Sequence, residues 1–233
     1  MTLLISGAMG TYGQAITEIA RNKGHKVLAL GRNETQLKEK LSKGLIHGYF
    51  VMSADDFDRR SSEFDVWLGT QQIDCFIHCA GAGSKGSSLA KETNSAIQNA
   101  INVNVNYFFF LCQALMRSPS ASLCSKVIAI SSRRGSTSMA ADEHISNAGC
   151  SYAYRIAKAA MNMTVCCLQE EFLQTGPTFN AIHPGKLISK MGVNSADVEP
   201  LESAKRLFDQ VIETELSFGY YTLQDTKVAK LPW

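Results

Sequence analysis

The sequence predicts an α/β fold, a single doubly wound parallel sheet of about seven strands with helices on both faces. Three observations predict it. Short apolar runs of strand length alternate with helical patterns along the whole chain. Three glycines, Gly7, Gly10 and Gly13, follow the first apolar run directly. The chain has 233 residues at 45% hydrophobic content, which suits one domain over 1–233 with a sizeable core and is short for two.

The elements follow in order. Residues 3–6 (Leu-Leu-Ile-Ser) form the first strand, and 14–23 the first helix. Residues 26–30 (Lys-Val-Leu-Ala-Leu) form the second strand, followed by a helix over 34–42. A third strand covers 48–52, a helical stretch 56–69, and a fourth strand 73–79. A long helix covers 94–116 and leads to strand five at 126–131. A second long helix runs over 154–174, then strand six over 178–183. A helix at 198–215 and a short strand at 218–222 close the pattern. Repeated β-α-β units imply parallel neighbours joined by right-handed crossovers. The polar stretch 133–151 reads as a long loop inside the domain, and such loops tend to carry function. No internal repeat, low-complexity tract or linker interrupts the series.

Bulk properties exclude several classes. The net charge is only +2, with basic and acidic residues interspersed, so nucleic acid is not an expected partner. No segment approaches the roughly 20 apolar residues of a membrane span. The N-terminal apolar run lacks a basic region before it and enters the glycine turn, so it reads as a strand and not as a signal peptide. The seven cysteines, at 75, 79, 112, 124, 150, 166 and 167, are odd in number and irregularly spaced. They read as reduced, mostly buried thiols of a cytoplasmic protein. The run Cys75-Phe76-Ile77-His78-Cys79 has strand alternation and no second ligand pair at finger spacing, so no metal is expected.

The stretch Ser6-Gly7-Ala8-Met9-Gly10-Thr11-Tyr12-Gly13 lies at the first strand-to-helix junction. In a dinucleotide site the first glycine allows a sharp turn off the strand. The second lets backbone N–H groups approach the pyrophosphate, and the third lets the helix pack close. The helix N-terminus then faces the phosphates with its positive dipole end. Strand two ends Leu30-Gly31-Arg32-Asn33, without the acid that holds the ribose hydroxyls of NAD. Arg32 can pair with a 2′-phosphate, so the expected cofactor is NADP(H).

The helix over 154–174 opens Tyr154-Arg155-Ile156-Ala157-Lys158. Tyr154 and Lys158 are four apart and share a face. A tyrosine near pKa 10 is a poor acid or base at neutral pH, and a neighbouring lysine cation is expected to lower that value. Such a pair can exchange a proton with a carbonyl or alcohol oxygen. Tyr152 has isoleucine at the corresponding position, Ile156. Ser131 and Ser132 end strand five. Asn102, Asn104 and Asn106 alternate in the preceding long helix, and His183-Pro184-Gly185 follows strand six. All border the carboxyl ends of strands, where open α/β sheets bind ligands.

Together SGAMGTYG, HCAG at 78–81, NVN at 102–104, ISS at 130–132, YRIAK at 154–158 and HPG at 183–185 resemble the short-chain dehydrogenase/reductase family, over the whole chain. SSRRGS at 131–136, YAYRIAKAAMNM at 152–163, HPGKLISKMG at 183–192, EPLESAKRL at 199–207 and the LPW at 231–233 resemble its small C-factor- and sniffer-like carbonyl reductases. The resemblance implies a Rossmann-type fold and an NADP(H)-dependent oxidoreductase acting on a ketone, aldehyde or conjugated enone of a small molecule. It implies Tyr154 as proton donor and Lys158 as the residue that lowers its pKa and holds the nicotinamide ribose. Ser132 positions the substrate oxygen and Asn104 holds Lys158 through a water, with Ser131, Asn102 and Asn106 as alternative registers. Met9, Gly10, Thr11, Tyr12 and Gly13 join Gly7 and Arg32 in the cofactor site. Ala80 and Gly81 line its adenosine-ribose side, and Pro184, Gly185, Ile188 and Ser189 border the nicotinamide and diphosphate. A homodimer or homotetramer is implied, with Tyr107-Phe108-Phe109-Phe110 as interface or core stripe.

Four departures accompany the resemblance. The glycines follow GxxGxxG, as in the extended or atypical branch. His78 and Cys79 replace the usual asparagines. No aspartate clearly ends strand three, where Ser53 or Asp55 is left to hold the adenine edge. The segment between Ser132 and Tyr154 is long and is expected to help wall the pocket, with His144 as a solvated loop residue or a substrate contact. A non-catalytic NADP(H) sensor is a competing reading. So is a dehydratase, isomerase or epimerase on the same fold.

Overall fold

The computed structural model describes residues 1–83, 88–119, 123–142, 151–189 and 196–233. The strands are β1 (Thr2–Ser6), β2 (Lys26–Gly31), β3 (Gly48–Val51), β4 (Cys75–His78), β5 (Lys126–Ile130), β6 (Thr178–His183), β7 (Gly219–Thr222) and β8 (Ala229–Lys230). They form one sheet in the order β3-β2-β1-β4-β5-β6-β7-β8. β1 to β7 are parallel to their neighbours, and β8 runs antiparallel to β7 through Tyr221↔Lys230 and Thr222↔Ala229. This edge strand adds to the seven expected. It has no apolar run to announce it and is held by backbone pairing, continued by Leu231 N–H to the Tyr220 carbonyl at 2.8 Å.

The helices are α1 (Thr11–Asn22), α2 (Glu34–Ser42), α3 (Phe57–Gly69), α4 (Asn94–Ile101), α5 (Tyr107–Arg117), α6 (Thr137–Ala141), α7 (Tyr152–Glu171) and α8 (Pro200–Leu207). Strand side chains alternate between two helical layers. Leu4, Leu28, Phe76, Val127 and Phe179 pack with Phe64 and Leu68 of α3, Phe108 and Leu111 of α5, and Met161 and Val165 of α7. Leu3, Ile5, Val27, Ile77, Ile128 and Ile182 pack on the other face with Ile16 of α1, Leu37 of α2, and Ala204 and Leu207 of α8. The order reverses direction between β1 and β4, and this switch point opens a crevice at the carboxyl ends of the strands.

Several boundaries differ from the sequence reading. α1 begins at Thr11 because the extended Gly10 caps it. The long helix over 94–117 is interrupted by a π turn at Asn102–Asn106. Val198 is not helical but bridges Leu187; Pro200 starts α8, and a π turn at Phe208–Ile212 ends it. In the stretch 133–151, the described residues 133–142 are not a plain loop. Ser132 caps a 3₁₀ turn at Arg133–Gly135, and Ser136 caps α6, its Oγ accepting from Met139 N–H at 3.0 Å. Serines at helix starts satisfy amides that have no helical acceptor. His144 lies outside the described residues. Among the described cysteines, all are free thiols; Cys75, Cys112 and Cys124 are buried, whereas Cys79 and Cys166 are half-buried and Cys167 is exposed.

Candidate active site

The glycine turn is built by close approach. Gly7 leaves β1 at φ +69°, and its N–H bonds the Leu30 carbonyl at 3.1 Å. A Cβ on Gly7 would stand 2.6 Å from Ala80 N, and one on Gly13 would stand 2.2 Å from the Gly7 carbonyl oxygen. The turn is thus wedged against the end of β4, which brings Ala80 and Gly81 beside it. α1 has neither a side-chain cap nor an acid in its first turn. Helix geometry leaves the N–H groups of Thr11, Tyr12 and Gly13 without intrahelical acceptors, a setting for an anion. The Tyr12 side chain is turned inward, its hydroxyl hydrogen-bonded to Ser203 Oγ at 2.9 Å, so it offers the crevice only backbone. Met9 is half-buried, and its carbonyl accepts from Gln14 Nε2 at 2.9 Å.

Arg32 is exposed just past β2, and among the described residues it makes no hydrogen bond or ion pair. Ser53 and Asp55 are both engaged. The Ser53 hydroxyl donates to Asp56 Oδ2 at 2.7 Å, and Asp55 accepts from Asn102 Nδ2 at 2.8 Å. His78 is sealed inside the sheet, its Nδ1 2.8 Å from Ser6 Oγ, and burial pushes its pKa down to about 3.

On the far side of the switch point four side chains meet. Lys158 is buried and donates to the Ile130 carbonyl at 2.7 Å, with its ammonium 5.9 Å from the Tyr154 ring centroid. Asn104 is fully buried by the π turn and donates to the carbonyls of Ala82 (2.7 Å) and Ala100 (2.8 Å). Its Oδ1 is buried without a partner among the described residues. A Cβ on Gly81 would lie 3.4 Å from that oxygen and 3.8 Å from Lys158 Nζ, so both atoms face one point just past β4. Ser132 Oγ accepts from Arg134 N–H at 3.3 Å, and its side chain is near enough to Tyr154 to pull the phenol's pKa down. The π turn at Asn102–Asn106 separates the three asparagines. Asn102 bonds Asp55 and Asn106 is exposed, leaving Asn104 as the inward residue. The two serines also point to different partners. Ser131 Oγ donates to Asn162 Oδ1 at 2.6 Å on the helical side, and Ser132 faces Tyr154.

The electrostatics differ from expectation in one respect. Burial pushes the Tyr154 phenol up from its ordinary value, while the Ser132 side chain and the Arg134 charge pull it down. Burial lowers Lys158 to about 8, and its ammonium is engaged by Ile130. Tyr154 is therefore held as a protonated phenol, the form a proton donor requires.

Past β6, Pro184 is buried and its carbonyl accepts from Ser203 Oγ at 2.6 Å; Gly185 turns at φ +91°. The Ile188 N–H bonds the Val198 carbonyl at 2.9 Å and its side chain is exposed, and Ser189 is half-buried. His183 is buried, with neither ring nitrogen bonded among the described residues. Burial first, then Arg133 and Lys186, lower it to about 3.

The model of the short chain dehydrogenase family matches residues 1–200. This chain belongs to that family. The short chain dehydrogenase described here is 26% identical over 195 residues to the uncharacterized oxidoreductase YmfI of Bacillus subtilis (strain 168), covering 82% of this chain and 76% of that protein. It is 24% identical over 166 residues to C-signal of Myxococcus xanthus, covering 70% and 95% respectively. Its structure aligns with carbonyl reductase Sniffer of D. melanogaster at a TM-score of 0.83 and 19% identity, over 100% of this chain and 99% of that one. It aligns with an NADPH-bound carbonyl reductase from chicken fatty liver at 0.81 and 20% identity, over 100% and 98%. The fold expected for this dehydrogenase, and the branch its motifs resemble, agree with these findings.

Sequence reasoning missed several supports of the site. Gly83 packs against Tyr154 so closely that a Cβ would stand 2.4 Å from the ring. Its signal was the Gly81-Ala82-Gly83 run of small residues. The Ile130 carbonyl, Asn162 and Tyr220 also hold the site, and nothing in local sequence marks them, because their partners are distant in the chain.

Proposed function

We propose that this chain is an NADPH-dependent reductase of a ketone, aldehyde or conjugated enone of a small molecule. The observation that carries the reading is the convergence of Tyr154, Ser132, Lys158 and Asn104 beside the glycine turn, with the buried Asn104 Oδ1 still unpartnered among the described residues. The residues present fit NADP(H). The backbone amides of Thr11, Tyr12 and Gly13 suit its diphosphate, Arg32 its 2′-phosphate, and Lys158 its nicotinamide ribose. Bound NADPH supplies the hydride that adds to the carbonyl carbon. The Ser132 hydroxyl holds the carbonyl oxygen in reach of Tyr154. Tyr154 gives its phenolic proton to that oxygen, and the Lys158 cation stabilises the phenolate left behind. Asn104 Oδ1, which faces the same point beside Gly81 as Lys158 Nζ, keeps Lys158 in place through a water.

The protein is proposed to act in the cytoplasm, consistent with its free cysteines, as a homodimer or homotetramer. Tyr107 and Phe108 belong to the core, but Phe109 of α5 and Ile156 and Met163 of α7 are exposed apolar residues suited to such an interface. The test is NADPH oxidation across a panel of carbonyl and enone compounds, with Tyr154→Phe as control. Turnover that disappears in the variant while NADPH binding persists supports the reading. Turnover unaffected by the variant would refute the proton-donor role, and cofactor binding without any turnover would favour a sensor.

A further inference from the structure

The segment 231–233 crosses from β8 to the stretch that follows Ser132. The Pro232 carbonyl accepts from Ser136 Oγ at 2.7 Å. The Trp233 carbonyl accepts from Ser138 N–H at 2.9 Å and from Thr137 Oγ1 at 3.2 Å. The indole stacks on Tyr220, with ring centroids 5.4 Å apart and planes 27° from parallel, and on Phe218 at 5.5 Å. Tyr220 in turn is buried, and its hydroxyl donates to the Ser132 carbonyl. Beside it, Ser131 Oγ donates to Asn162 Oδ1 at 2.6 Å, and Asn162 Nδ2 donates to the Gly135 carbonyl at 3.2 Å. The stretch from Ser132 to Ser138 is therefore pinned at both ends by one aromatic unit.

We propose that Trp233 and Tyr220 form a strap that positions Ser132 for the substrate oxygen. The proposal rests on reading Ser132 as the substrate-orienting hydroxyl. Neither strap residue touches the reacting atoms; both act through the backbone of 132–138. Tyr220 fixes the Ser132 carbonyl, hence the direction of its side chain towards Tyr154. Trp233 orients Tyr220 by stacking and anchors the far end of the stretch through its carbonyl. The glycine turn and Arg32 lie across the switch point and make no contact with the strap among the described interactions, so the share of cofactor affinity they carry is not coupled to it.

The test compares Trp233→Ala, Trp233→Phe, Tyr220→Phe and the Trp233→Ala/Tyr220→Phe double variant in the full chain. The measurements are kcat and KM for a carbonyl compound the wild type reduces, NADPH affinity by fluorescence, and amide hydrogen exchange over 132–142. Trp233→Ala should lower kcat/KM about ten- to a hundredfold, as a misplaced orienting group does, with NADPH affinity unchanged. Exchange over 132–142 should rise, and Trp233→Phe should restore most of the loss. The double variant should lose less than the two single losses combined, because both act on one element. Wild-type kinetics and exchange in Trp233→Ala would overturn the proposal. So would a loss shared equally by turnover, NADPH affinity and melting temperature and not rescued by Trp233→Phe. If the wild type reduces no carbonyl at all, the reductase reading falls, and exchange alone decides the strap, unchanged exchange in Trp233→Ala refuting it.

Discussion

The three glycines of the first turn should respond differently to alanine, and the structure says how. On Gly13 a Cβ would sit 2.2 Å from the Gly7 carbonyl oxygen and 2.8 Å from Ala8 Cα, both rigid backbone. Forcing that methyl in should cost about 1–3 kcal/mol, as overpacking does, and the turn must open to accept it. Gly7 adds a second penalty. Its φ of +69° is left-handed, about 1–2 kcal/mol for an L side chain. Its Cβ would also meet Ala80 and Cys79 backbone within 2.8 Å. Gly7→Ala should therefore lose about 2–5 kcal/mol in all. Gly10 is unlike both: its φ is −73°, and its Cβ would meet only the Gly7 oxygen, at 3.3 Å. Gly10→Ala should change folding stability by less than about 1 kcal/mol, with a gain possible from the stiffer unfolded chain. It should still weaken NADPH binding, because the methyl intrudes where the phosphates approach the helix N-terminus. Guanidinium denaturation and NADPH fluorescence titration on all three variants measure both quantities. Gly13→Ala as stable as the wild type would refute the packing argument. Gly10→Ala with undiminished NADPH affinity would refute the cofactor assignment of the turn.

Three further outcomes follow from the same structure. Arg32→Ala should weaken NADPH binding about ten- to a hundredfold, the value of a charged hydrogen bond, and leave NADH unaffected; equal losses for both, measured by competition titration, would contradict the 2′-phosphate role. Carbonyl reduction should decline as pH rises through about 8, because burial has lowered Lys158 to that value and its charge is lost above it; a rate profile flat to about pH 10 would show that the cation is dispensable. Stability should fall in mild acid. His78 and His183 are held neutral with pKa values of about 3, whereas unfolded histidines protonate near 6.5, so protons bind the unfolded chain first between those values. At pH 5 each histidine should cost about 2 kcal/mol relative to neutral pH, read by denaturant unfolding at the two pH values.

Much of the fold was legible because its signals are local. Alternating apolar runs set β1 to β7, and α2 and β6 match the sequence reading residue for residue. The boundaries that moved did so for tertiary reasons. β8 exists only because β7 offers an edge, and Val198 leaves the helix because Leu187 pairs with it. α6 stands in a polar stretch, capped by Ser136 and tied to the main chain of 232 and 233.

By itself the sequence determined which residue types the crevice has: a glycine turn after the first strand, an arginine after the second, and a tyrosine four residues before a lysine. Those spacings act within one turn or one junction, so they need no partner from elsewhere in the chain. Only the tertiary structure decided between near-equivalent neighbours. The π turn buries Asn104 and leaves Asn102 and Asn106 outside, and Asn162 draws Ser131 away while Tyr220 holds Ser132. It also reversed the direction expected for the phenol's pKa. Spacing predicts that Lys158 lowers the Tyr154 pKa, whereas burial raises the phenol and turns the lysine to the Ile130 carbonyl. Burial and hydrogen-bond partners depend on where distant segments lie, and no local pattern carries that information.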